Sequence, residues 1–316
     1  MSNATPSRLG LVNNTGTGVN DLFLKLYSGE VLASFQRENK MLGMTNVRTI
    51  ANGKSASFPV TGRTTASYHS VGAEITGDAI KHNEKIINID DMLLSSSFVA
   101  ELDELKLHYD IRSIYASEMG QALAKTVDQN LLQLAVVGAN ASATITGGDA
   151  GTVITDADAN TNATSLIASL FECIQKLDEN DVPSTDRYIV VNPDIYYQLA
   201  NNDKLLNRDF STLNGDFGKG TVVSIGGVPV IKSNTVSSAF ADNSSQVSGT
   251  NNTYHIDAQN YVAVCFHKSA IGTVKLKDLV VETTYDARRL GSLITGRMAI
   301  GSSILRPESC TAVKTS

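Results

Sequence analysis

Residues 98–137 read FVAELDELKLHYDIRSIYASEMGQALAKTVDQNLLQLAVV, and the folding of this stretch decides most of the rest. Leu107, Ile111, Ile114, Tyr115, Met119, Ala122, Leu123, Val127, Leu131 and Leu134 recur at three- and four-residue steps, which lines apolar side chains along one helix face. The spacing predicts one long helix. Ser95, Ser96 and Ser97 offer N-caps, Glu101, Asp103 and Glu104 suit the positive end of the helix dipole, and Gly138 is placed to stop it. At about 1.5 Å per residue, roughly forty residues span about 55 Å, longer than a compact domain of this mass is thick. Such a helix is a spine across an elongated molecule.

On the N-terminal side, NVRTIANGKSASFPV (46–60) alternates on both sides of Asn52-Gly53, the pair best suited to a two-residue hairpin turn. Pro59 removes a ladder donor and confines its strand to a sheet edge. TGRTTASYHSVGAEITGD (61–78) is polar, compatible with extended backbone and too poor in large apolar residues to make a core, so it should project. The chain returns through KHNEKIINIDDMLL, where Ile87 and Ile89 alternate with polar neighbours. Before all this, a Gly-, Asn- and Thr-rich start carries one amphipathic segment containing Phe23 and Phe35, with Asp21 as a cap and Gly29 as a break.

On the C-terminal side, a low-complexity loop from Asn140 leads to a helix over 165–177, a turn through Asn180–Pro183 and a buried strand RYIVV. Asn192-Pro193 ends that strand and a short helix follows. Strands are expected at TVVSIGG, VPVIKS and YVAVCFH, with a Ser/Asn/Gly-rich loop over 235–253. The last section, TVKLKDLVVETTYDARRLGSLITGRMAIGSSI, reads as extended pieces joined by turns at Asp286 and Gly301. Extended arm, projecting hairpin, spine, compact middle and terminal β section make an α+β protein and not a doubly wound sheet.

The 316 residues are 42% hydrophobic and 18% charged with a formal charge of −6, which argues against a chain that grips nucleic acid by counterion release. No basic start followed by a long apolar run is present, and no stretch reaches the roughly 18 apolar residues that span a bilayer. Cys173, Cys265 and Cys310 are far apart and odd in number, which fits neither a disulfide framework nor a paired zinc site. Cys265, in an apolar strand, reads as a small buried hydrophobe.

Catalytic patterns fail one after another. GDFGKGT (215–221) has glycines and Lys219, but Gly220 stands where a phosphate loop needs Ser or Thr, so it reads as a Gly-rich turn. His82 and Glu84 share the spacing of a deaminase motif without the cysteine pair that completes its zinc shell. His108 and Asp110, two apart on a helix, face different ways. Asp90-Asp91 and the acids at 101, 103 and 104 suit a divalent cation by type, yet helix capping is the stronger reading. An arm, a projecting loop and an overlong helix expose surface that a monomer gains nothing by ordering; neighbours would cover them.

Four blocks carry a resemblance: FPVTGRTTASYHSVGAEI (58–75), HYDIRSIYASEMGQALA (108–124), FHKSAIGTVKLKDLVVE (266–282) and IGSSILRPES (300–309). In order and spacing, over residues 22–310, they resemble the major capsid protein of short-tailed, T-seven-like bacteriophages. The resemblance implies the α+β tailed-phage capsid fold, with an N-terminal arm at 1–46 and an extended loop with peripheral-domain strands at 47–98. A spine helix and its following loop would occupy 99–162, an axial domain 163–275, and return strands 276–316. It further implies a non-enzymatic shell subunit without cofactor, catalytic residue or metal, found in the virion capsid and assembled in the host bacterial cytoplasm. Its partners would be itself in hexamers and pentamers, a scaffolding protein, a portal protein and enclosed double-stranded DNA bound without sequence specificity, with no membrane.

On the same resemblance, Phe23, Phe35 and Phe58, with Arg63, Tyr68, His69 and Glu74 on the loop, are candidate assembly contacts. Arg288, Arg289, Arg306 and Glu308 are candidate anchors, with ordinary pairing inside one subunit as the alternative role. One protein of this fold class hardens its shell with a lysine-to-asparagine crosslink from the loop. Arg63 stands at the loop tip on this reading, and a guanidinium cannot be that nucleophile, so a non-covalent shell is expected. The alternative of the same fold is a cellular nanocompartment of encapsulin type; an enzyme lacking a recognisable motif stands behind both.

Overall fold

The computed structural model describes residues 40–105, 111–202 and 224–315, apart from 65, 73, 76, 78 and 246. The arm with Phe23 and Phe35, His108 and Asp110, and the GDFGKGT stretch lie outside the described residues. The described chain divides into a larger unit of residues 40–90, 128–276 and 300–315 and a smaller one of 91–127 and 277–299.

The larger unit is built on a six-stranded mixed sheet. β5 (Thr152–Thr155) runs parallel to β14 (Cys310–Lys314), which is antiparallel to β11 (Tyr261–His267), which is antiparallel to β6 (Arg187–Val191). β8 (Val228–Lys232) continues parallel to β6, and β7 (Ser224–Ile225) closes the edge. Gly226 and Gly227, at φ +55° and +79°, make the two-residue turn between β7 and β8, a left-handed pair that residues with a Cβ resist. Every residue of β11 is buried, as a central strand covered on both faces requires.

Helix α3 (Ala163–Glu179) lays Leu166, Leu170, Cys173, Ile174 and Leu177 into the core with Ile189, Val191, Ala263 and Val313. Each large side chain so buried contributes roughly 1.5–3 kcal/mol. Asn162 starts the helix, its side-chain oxygen accepting the N–H of Thr164 and Ser165 at 3.0 and 3.4 Å. Short helices α4 (Pro193–Ala200) and α5 (Thr235–Ala239) and the two-residue pair β9 (Asp242–Asn243) and β10 (Ile256–Asp257) complete this region. The expected loop over 235–253 therefore contains helix α5.

Two corrections concern the projecting region. Asn52-Gly53 turns the chain, with Gly53 at φ +115°, but does not join two paired strands. β1 (Asn46–Thr49) runs parallel to β12 (Ile271–Asp286) through Asn46–Gly272 to Thr49–Lys275. β2 (Ser55–Thr61) instead pairs antiparallel with β3 (His82–Asn88), from Ser55–Asn88 to Thr61–His82, and Pro59 lies in this two-stranded ribbon, where every strand is an edge. A distant partner overrode the local turn signal.

The spine is shorter than its periodicity suggests. Leu93–Ala100 is a strand, β4, in which Ser95, Ser96 and Ser97 face Gly296, Thr295 and Ile294 of β13 (Gly291–Ile304) as ladder residues. The acids at 101, 103 and 104 open a short helix, α1 (Glu101–Leu105), and α2 spans Ile111–Ala139, about 43 Å at 1.5 Å per residue. Gly138 lies inside α2 and does not stop it: a Cβ there would sit 2.7 Å from the Cys310 sulfur.

In the smaller unit Met119 and Leu123 of α2 pack over Gly296 of β13, and β12 and β13 are neighbours joined through residues 287–290. The turn expected at Asp286 is present. The one expected at Gly301 is not; Gly301 is mid-strand because a Cβ would collide with the Asn88 carbonyl oxygen at 1.9 Å. Among the described residues no helix is long and apolar enough to cross a membrane.

Candidate assembly surfaces

The β2–β3 ribbon ends where the Gly62 N–H donates to the Lys81 carbonyl at 2.8 Å. Beyond that closure every described residue from 64 to 80 is exposed, and Tyr68, Val71 and Ile75 stand 105%, 104% and 81% accessible. His69 and Glu74 are exposed with them. Three large apolar groups fully in water along one short loop are what a surface awaiting a partner offers. Phe58, in β2, is half-buried and lies under the guanidinium of Arg48, 5.7 Å from its ring centre.

Arg63 is occupied within its own chain. One guanidinium nitrogen donates to the Asn180 carbonyl at 2.7 Å, and the other lies 3.5 Å from Asp149 and 3.3 Å from Asp181. The Asn180 side chain donates in turn to the Glu308 carbonyl at 3.0 Å, and Glu308 pairs with Arg306 at 3.8 Å. Asn83 on β3 donates to the Thr144 carbonyl. Three residues nominated separately from sequence, Arg63, Arg306 and Glu308, thus meet in one network at the root of the loop, with Asn180 as the link that sequence reading missed. Arg288 and Arg289 belong to the smaller unit instead. The Arg288 N–H donates to Asp286 at 3.0 Å, and the Arg289 guanidinium is 3.6 Å from the same carboxylate.

A further surface went unnoticed in the sequence. β1 ends opposite Lys275, and no described strand continues along that side of β12. From Asp278 to Tyr285 the strand exposes Leu279, Val281 and Tyr285. Tyr285 donates its hydroxyl to Glu101 at 2.6 Å, and this bond raises its pKa above the ordinary phenol value. In TVKLKDLVVETTYD, Leu279, Val281 and Tyr285 stand among Lys277, Asp278 and Glu282, a pattern read above only as extended backbone.

Chemistry is otherwise sparse. Among the described residues no group of three His, Cys, Asp or Glu side chains gathers to hold a metal. Burial pushes Cys173 and Cys310 up to about 12 and Cys265 higher still, so all three thiols stay protonated. His82 and Glu84 are exposed on β3.

Residues 57–314 match the family model of the Gp10A-like major capsid protein. The major capsid protein of Enterobacteria phage T3 is 32% identical over 92% of this chain and 91% of its own length, and that of Escherichia phage T7 is 31% identical over the same shares. The solved capsid structure of the cyanophage P-SCSP1u is 42% identical and superposes with a TM-score of 0.84 over 99% of both chains.

Proposed function

The chain belongs to the Gp10A-like family of major capsid proteins, and on that premise we propose how its surfaces divide the labour of building a shell. It is a structural virion protein whose copies form an icosahedral capsid. The loop over 62–81 lies on a neighbouring copy and buries Tyr68, Val71 and Ile75 there, with His69 and Glu74 beside them. The full exposure of those three side chains carries this reading. Arg63 holds the root of the loop at its own subunit and presents the tip, a positioning role in place of the direct contact read from sequence. The arm, with Phe23 and Phe35, adds contact area once the ring has closed. Phe58 and the Arg288–Arg289 turn border further contacts between copies.

Residues 163–275 point toward the capsomer centre, and 47–162 with 276–316 form the periphery. A scaffolding protein guides the first shell, a portal replaces one vertex, and double-stranded DNA fills the interior without sequence-specific contact. The charge of −6 supports a wall that does not adhere to packed DNA. Interfaces of about 1,200–2,000 Å² each, repeated around symmetry axes, permit correction of errors during growth.

Negative-stain microscopy of the purified chain over a concentration series tests this reading. Closed shells or capsomer sheets are expected, running as one band on a denaturing gel. Monomers at every concentration contradict the assembly reading, and a ladder of covalent oligomers contradicts the non-covalent shell. Nucleic acid inside native particles is expected; an enclosed protein cargo would favour the nanocompartment alternative.

A further inference from the structure

The larger unit begins, among the described residues, at Lys40, and the chain leaves or re-enters it after residues 90, 127, 276 and 299. Two carboxylates, the buried Asp128 and the half-buried Asp90, stand at that start and at three of these four crossings. Asp128, 2% exposed, is the first residue of that unit on α2. Its two oxygens accept the backbone N–H groups of Lys40 and Met41 at 3.0 and 3.2 Å, the first described residues of the unit. The Lys40 ammonium also donates to the Lys232 carbonyl at 3.3 Å.

Asp90 is the last residue before its crossing, and its N–H donates to the carbonyl of Ile300, the first residue after another, at 3.2 Å. One carboxylate oxygen accepts the N–H of Asn251 at 2.7 Å and both the N–H and side-chain amide of Asn252 at 3.2 and 2.9 Å. The other accepts the Tyr254 hydroxyl at 2.6 Å, whose oxygen accepts the Ser302 N–H at 2.8 Å. The Asn251 and Asn252 side chains donate back to the carbonyls of Ile89 and Asn88 at 2.7 and 2.8 Å. Both clusters lie wholly inside the larger unit.

Burial raises the pKa of both carboxyls, so the anion of each carries a desolvation cost that its hydrogen-bond donors offset. An apolar side chain of similar volume would serve packing at least as well. What a buried carboxylate adds is direction: charge-assisted bonds that fix which backbone groups meet.

We propose that Asp90 and Asp128 are conformational pins that fix where the chain enters and leaves the larger unit, holding residues 40–41, 88–90, 251–254 and 300–302 against local opening.

Amide hydrogen exchange on the full-length chain tests this, with Asp128→Asn and Asp90→Asn as variants. Asparagine keeps one acceptor and turns an amide N–H₂ toward the donors. Exchange about tenfold faster is expected at Lys40 and Met41 in the first variant and at Asn251 and Asn252 in the second, with β11 and α3 unchanged. Acceleration spread evenly through β11 and α3, or none at the pinned amides, overturns the proposal. Should a variant fail to fold, the unmodified chain still decides: Lys40, Met41, Asn251 and Asn252 should exchange about a hundredfold more slowly than the loop over 64–80, and equal rates overturn the pins.

Discussion

Two strands that both carry large apolar side chains meet opposite fates in this molecule. β11, YVAVCFH, is buried along its whole length between β14 and β6, while the outer part of β12, DLVVETTY, lies in solvent. The apolar content of a strand therefore says that it will be covered, and the topology says by what. For β11 the cover is in its own chain. For the outer part of β12, as for Tyr68, Val71 and Ile75, the cover we propose is another copy.

The contrast is broken most severely at β11. Phe266→Ala removes a fully buried ring and should cost about 3–5 kcal/mol, read as a lower urea midpoint and a Tm lower by several degrees. The triple change Leu279→Ser, Val281→Ser, Tyr285→Ser should leave the unfolding free energy of the dissociated subunit, read from urea melts, within roughly 1 kcal/mol while shell yield drops severalfold. A subunit destabilised as much as by the β11 change would show that β12 is covered within its own chain.

The smallest effect sharpens the comparison through pH. Asp156 accepts the hydroxyls of Ser165 and Ser169 at 2.7 and 2.8 Å, and these bonds hold its pKa below the usual carboxylate value. Its contribution to stability is complete above that usual value, near 3.8, and is lost as pH falls through the depressed one. Asp90 and Asp128 have the opposite sign: their pKa values are raised, so the penalty they carry as anions is lifted as pH falls through those raised values and is gone below the usual value near 3.8. Asp156→Asn should lower Tm by roughly 2 °C or less at neutral pH and flatten the acid limb of the stability curve, leaving a difference that narrows below pH 4.

The sequence spoke most clearly where one element settles its own structure. α3 has a one-sided apolar stripe and a capping Asn162, and its reading needed only two residues added at each end. The β4–α1 junction was hidden because Phe98 and Val99 also fit a helical spacing, and only pairing with β13, far along the chain, makes them strand. Asn52-Gly53 and Gly301 misled for one reason: each was read as local punctuation, whereas β12 claims β1 and the Asn88 carbonyl crowds Gly301. The exposed loop was legible in its polar neighbours. The Arg63–Asn180–Glu308 network was not, because a backbone carbonyl that links two side chains leaves no mark on residue type.

Tyr68→Ser, Val71→Ser and Ile75→Ser combined in one full-length chain test the central claim most directly, with sedimentation velocity and thermal melting on the same samples. A subunit whose Tm is within about 2 °C of the unmodified one and which stays at capsomer size or smaller, where the unmodified chain forms shells, is the predicted result. Shells formed in equal yield and with equal heat resistance would contradict it.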